Sequence, residues 1–161
     1  MMNFKRGSHL TTLIAVLAGL VLAPIAFADD ADDVLALVKQ YGDSEGDLSS
    51  QAKLMRSDRV YITGGMRQTD EAKNMAMQMA VRAANEAVNG GKTKWFSVLE
   101  VPVIRVYGNV AVASFVRAFQ TIPHNQPANP PGQPVWVTLV LVKEGGKWGI
   151  AHTHQSPAGG N

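Results

Sequence analysis

The change of texture at residue 92 constrains this chain most. Before it, apolar residues recur at helical spacing; after it, Trp95–Tyr107, Val110–Ile122, Val135–Val142 and Lys147–Gln155 are runs rich in Val, Ile and aromatics. Two of the junctions are tight: Gly108-Asn109 reads as a two-residue hairpin turn, and Glu144-Gly145-Gly146 turns the chain into the last run. Helices followed by long antiparallel strands predict an α+β domain. A strongly curved sheet wrapped around a long helix would bury both and leave a cone whose open end is a pocket. The Pro-rich segment from Pro123 to Pro134 is too long for a tight hairpin and is expected to cover something.

The helical half has three predicted elements. Asp29 to Gly42 carries Val34, Leu37, Val38 and Tyr41 on one stripe, with four aspartates near its start to complement the helix dipole. A shorter helix is predicted from Asp47 to Arg56, then a strand over Arg59–Thr63, ended by Gly64-Gly65. A third helix follows, with Thr69 as N-cap, an apolar stripe of Ala72, Met75, Ala76, Met79, Ala83 and Ala87, and Gly90-Gly91 as its end.

Residues 1–28 read as an export signal: Lys5 and Arg6, an apolar run from Leu10 to Phe27, and Ala26-Phe27-Ala28 before Asp29. The alternative is an uncleaved anchor, but Pro24 and the A-x-A site fit cleavage better. Cleavage would place residues 29–157, as one domain, in the periplasm or outside the cell, with 158–161 a flexible tail and no membrane attachment left. The chain has no cysteine, which excludes disulfides, a thiol nucleophile, Cys-based zinc and a lipobox. Without Lys5 and Arg6 the 15 basic residues fall to the number of the 13 acidic ones, so no basic field for nucleic acid is expected.

The stretch Gly146-Lys147-Trp148-Gly149-Ile150-Ala151-His152-Thr153-His154-Gln155-Ser156 resembles the closing strand of the nuclear transport factor two-like (NTF2-like) superfamily. It is most similar to the SnoaL-like branch and to the association domain of calcium/calmodulin-dependent kinase II. Phe115 to Gln120, after Tyr107-Gly108-Asn109, is similar to that domain's preceding strand. The resemblance implies the cone-shaped, cystatin-like α+β fold and a homodimer formed through the outer face of the sheet. In the association domain arginines line a deep pocket. One falls on Arg117, while two others fall on Leu139 and Gln155 here. The fold hosts isomerases, cyclases, dehydratases and binding modules alike, so function rests on the site.

Pairing through Gly108-Asn109 places Arg117 opposite Glu100 in otherwise apolar strands, and these two are the candidate pocket floor and the best catalytic candidates. A bulge at Pro102 would shift this register. Trp95, Phe115, Phe119 and Trp136 are candidate aromatic walls; Tyr61, Thr138, Thr153 and Gln155 are candidate polar lining. His152 and His154 share a strand face and would bind zinc if His124 or Glu100 converged, but that face, with Trp148 and Ile150, reads better as packing. Met75, Met77 and Met79 suggest Cu(I), yet a helix turns the middle one away. No metal and no cofactor are expected. Three functions stay open: a small-molecule-binding module, an isomerase, cyclase or dehydratase using Glu100 for proton transfer, and an oligomerisation domain without ligand. An arginine beside Glu100 would weaken it as a base, which favours binding.

Overall fold

The computed structural model describes residues 26–100 and 102–159. Helix α1 spans Ala26–Asp43, a single 3-10 turn Ser44–Gly46 follows, and α2 covers Leu48–Ala52. Strands β1 (Met55–Thr63) and β2 (Met66–Gln68) precede helix α3 (Glu71–Val88). Then come β3 (Lys94–Leu99), β4 (Val103–Tyr107), β5 (Val110–Ile122), β6 (Val135–Glu144) and β7 (Lys147–Pro157). The architecture is mixed α+β, with a curved, unclosed sheet in the order β2-β1-β7-β6-β5-β3 and β4 also on β5. Among the described strands only the β1–β7 pairing is parallel. The signal read at residues 1–28 lies for the most part outside the described residues, and the tail is described only to Gly159. No described helix is long and apolar enough to cross a membrane.

The core sits where α1 meets the concave face. Val34, Val38 and Tyr41 pack with Ala111, Ala113, Phe115, Val137, Leu139, Leu141 and Ile150. Strand alternation explains this set, because Ala113, Leu139 and Thr153 are successive cross-strand partners and share one face. The expected pairing of Tyr107 with Val110 is present. Gly64 and Gly65 both take positive φ and close a third tight hairpin, Thr63 against Met66, where the sequence suggested only a strand end.

Four expectations change for local reasons. First, the long run from Trp95 to Tyr107 is two strands, because the proline at 102 interrupts the ladder. Arg117 therefore stands opposite Leu99, not Glu100. Second, an irregularity between Val140 and Leu141 leaves Ala151 as an extra residue in β7. Trp148 and Ile150 turn inward to the core while His152 and His154 stay on the outer face, so the four do not form one face. Third, α3 is capped by Asp70, whose carboxylate accepts from Lys73 N–H at 2.9 Å, rather than by Thr69. Its buried positions are Glu71, Asn74 and Met75, and Ala72, Ala76, Ala83 and Ala87 face solvent. The sheet face beneath α3 is polar, so a polar helix stripe turns towards it. Fourth, α2 is short. Asp47 caps it through Ser49 and Ser50, and the hydroxyls of those serines hold its carboxyl well below the usual carboxylate range.

The Pro-rich loop does cover something. β6 pairs with β5 only as far as Arg117, which leaves the far end of β5 open on that side. Gly132 N–H donates to Phe119 O and Asn129 N–H to Thr121 O, both at 2.9 Å, so the loop lies along that end.

Candidate functional site

A cavity of about 420 Å³ opens between α3 and the concave face of the sheet. Its sheet wall is built by alternation: Arg59 and Tyr61 from β1, Arg117 and Phe119 from β5, Gln155 from β7 and Trp95 from β3. Met77, Gln78, Val81 and Arg82 of α3 form the roof. Tyr41, Glu45 and Gln51 close the side. The walls are half apolar, and the polar groups are organised around guanidiniums.

Glu45 holds two of them. Arg117 Nη1 donates to its Oε2 at 3.0 Å, and Arg82 Nη2 to its Oε1 at 2.6 Å. Arg82 also donates to the Glu45 carbonyl, and Gln51 Nε2 to the carboxylate at 3.0 Å. The third guanidinium is deeper: Arg59 Nε meets Glu71 Oε2 at 2.6 Å, and Arg59 Nη1 donates to Thr153 Oγ1 at 3.2 Å. Each arginine also lies over an aromatic ring. Arg82 is 3.9 Å above Trp95, Arg59 4.9 Å from Tyr61, and Arg117 5.2 Å from Tyr41. Three guanidiniums face two carboxylates, which leaves one positive charge uncompensated. Arg117 Nε is buried without a partner. Burial alone would push the Arg117 pKa down, but Tyr41, Glu45 and Tyr61 together outweigh it and hold the pKa above its ordinary value.

Gln155 links two phenols. Tyr61 Oη donates to Gln155 Oε1, and Gln155 Nε2 donates to Tyr41 Oη, both at 3.3 Å. Burial, and then Tyr41, push the Tyr61 pKa up, against smaller opposing effects of Thr63, Arg117 and Arg59. The phenol therefore stays protonated above about pH 10, where a free tyrosine ionises. Unfolding releases it to ionise there, so this group makes stability fall as pH rises through that value. A near-ultraviolet absorbance titration will show a late-ionising tyrosine, and Tyr61→Phe will remove that component. A Tyr61→Phe curve identical to wild type would refute the assignment.

Of the residues singled out by sequence, Tyr61, Trp95, Arg117, Phe119 and Gln155 line the cavity. Thr153 is buried behind Arg59, and Phe115 belongs to the core on the same face. Glu100 is exposed at the break between β3 and β4, with its N–H bonded to Val116 O, and takes no part in the cavity. Trp136 and Thr138 are on the outer face, because their partners Ser114, Val116, His154 and Ser156 are. The His124 ring lies against Gly91, far in register from His152 and His154. Met75 is buried while Met77 is exposed, so the methionines diverge. Among the described residues no group of three His, Asp or Glu converges as a metal site.

Sequence reasoning missed Arg59, Arg82, Glu45, Tyr41 and Gln51 as cavity residues. A signal existed for two of them. Arg59 is two residues from Tyr61 on one strand, and Arg82 follows Met75 and Gln78 on one helix face. Glu45 carried none, since it sits in the irregular Ser44–Gly46 turn.

The family described as SnoaL-like domain matches residues 44–159. Among curated proteins none matches this sequence. The fold is similar to an NTF2-like superfamily protein from Salmonella enterica, with TM-score 0.68 and 19% identity over 84% of this chain and 95% of that one. An NTF2-like protein from Streptomyces avermitilis, named as a candidate dehydratase, is similar with TM-score 0.64 and 16% identity over 83% and 99%. The association domain of CaMKII from C. elegans is similar with TM-score 0.61 and 15% identity over 80% and 96%. At these identities the likeness is one of fold.

Proposed function

The chain belongs to the family of SnoaL-like domains, and from that premise we propose that it is an exported, homodimeric domain binding a small organic anion, a carboxylate on an apolar body, in the cavity at Arg117. The observation that carries this reading is the uncompensated positive charge in a half-apolar cavity, with Arg117 Nε left unpaired. A carboxylate accepts from a guanidinium through charge-assisted hydrogen bonds. A cavity of about 420 Å³ falls in the usual range for small ligands, roughly 300–1,000 Å³. Proton-transfer catalysis is less well supported. Glu100 is outside the cavity, and both Glu45 carboxylate oxygens are engaged by guanidiniums.

Benzoate will bind the purified protein by calorimetry, benzamide will not, and Arg117→Ala will weaken benzoate by about tenfold or more, the scale of a lost charge-assisted bond. Equal binding of benzoate and benzamide would overturn the reading.

The dimer is supported by the outer sheet face, which no described element covers. Phe96, Val98 and Trp136 are each more than half exposed there, an unusual concentration for a free surface. Trp136→Asp will shift the protein from dimer to monomer in sedimentation velocity. A wild-type monomer would remove this part of the proposal. Export is tested by N-terminal sequencing of protein recovered from its own host, with Asp29 the expected first residue.

A further inference from the structure

A second, smaller cavity of about 180 Å³ lies at the C-terminal end of α3 and shares Arg82, Asn85 and Trp95 with the first. Its chemistry differs. Asn89, Asn129 and Thr121 give it neutral polar walls, and Glu86 gives it a carboxylate. One Glu86 oxygen accepts from Thr93 N–H at 3.1 Å, and no cation pairs with Glu86 among the described residues. The one cation on the wall, Arg82, is engaged by Glu45. Near it in the chain, Lys92 and Lys94 are exposed, and the His124 ring lies against Gly91. The walls hold the Asn129 end of the Pro-rich loop against Thr121 through a 2.7 Å bond from Asn129 Nδ2 to Thr121 Oγ1. The two cavities are thus oppositely charged at their ends, with the Arg82 guanidinium stacked on Trp95 at the boundary.

We infer that the two cavities are halves of one elongated site, and that its ligand carries an ammonium group into the smaller half, at Glu86, on an apolar spacer from the carboxylate held by Arg117. This rests on the binding function proposed above and names its ligand class as a long ω-amino carboxylic acid. Arg117 and Thr121 stand four residues apart on β5, roughly 13 Å along a strand, which sets the length. The spacer runs past the Phe119 and Trp95 rings, which lie 6.2 Å apart, beside the Arg82 guanidinium stacked on Trp95. The ammonium supplies Glu86 with the cation that the protein does not.

Calorimetry with hexanoate, octanoate and decanoate, and with their ω-amino and ω-hydroxy counterparts, tests this. At the spanning length the ω-amino acid will bind about tenfold tighter than the alkanoate, with the ω-hydroxy acid between, as expected for a charge-assisted bond. Glu86→Gln will bring the ω-amino acid and the alkanoate to similar affinity, and its octanoate binding reports that the variant is folded. Alkanoates that bind while ω-amino acids bind no better would overturn this inference and leave the anion site standing. Failure of every carboxylate, benzoate included, would overturn both.

Discussion

Replacing Arg59 by alanine will cost the fold about 4 kcal/mol, because it takes the paired cation away from a buried carboxylate. Arg59 is 3% exposed and its partner Glu71 8%. Glu71 keeps a second oxygen, Oε1, already without a partner. The pair itself is a different quantity from either single deletion. Desolvation of both ions offsets much of their attraction, so Arg59→Met combined with Glu71→Leu should recover most of the loss. Part of it will stay lost, since Glu71 is in the first turn of α3 and complements its dipole. Urea unfolding of the two singles and the double closes the cycle. An Arg59→Ala cost below about 1 kcal/mol, the range of exposed pairs, would show that water reaches the pair.

Glu45→Gln is expected to move stability and affinity in opposite directions. The carboxylate is the shared partner of Arg82 and Arg117 and is only 12% exposed. Its neutralisation leaves two guanidiniums in repulsion and should destabilise the protein by about 3 kcal/mol. The same change adds one unit of positive charge to the cavity. Benzoate should then bind about tenfold more tightly, the order expected when a nearby opposing charge is removed from a partly desolvated site. Saturating benzoate should return much of the lost stability, since ligand binding to the native state raises stability logarithmically with concentration. Thermal unfolding with and without benzoate measures both arms. A variant that loses stability and affinity together would mean that Glu45 only shapes the cavity and does not compete with the ligand for Arg117.

The sheet was legible in this sequence because its registers are set locally. Gly108-Asn109 and Gly145-Gly146 fix where β4, β5, β6 and β7 meet, and strict alternation along them then sorts Arg117, Phe119 and Gln155 to one face. The errors arise where a local irregularity resets the alternation. Pro102 broke one strand and removed Glu100 from the opposite side of Arg117, and the extra residue at Ala151 split Ile150 from His152. The α3 face was misread for a different reason. Its alanines match a core stripe in period, but their helix packs over polar side chains, and the buried positions follow Glu71 and Asn74 instead. The partner of Arg117 was not legible at all. Glu45 comes from a segment 72 residues away, in a turn with no periodic signal, and only the fold brings it to the cavity.

The way the Pro-rich loop lies on β5 bears on how copies of this molecule can associate. Backbone groups left unpaired at a strand edge invite a neighbouring chain to extend the ladder, the first step of β-aggregation. Here the open end of β5 is occupied by a segment with prolines at 123, 127, 130, 131 and 134, which offer no N–H to a newcomer. The β2 border is three residues long, and the opposite border is interrupted between β3 and β4. Among the described residues, indefinite edge-to-edge growth therefore has no long template on either side.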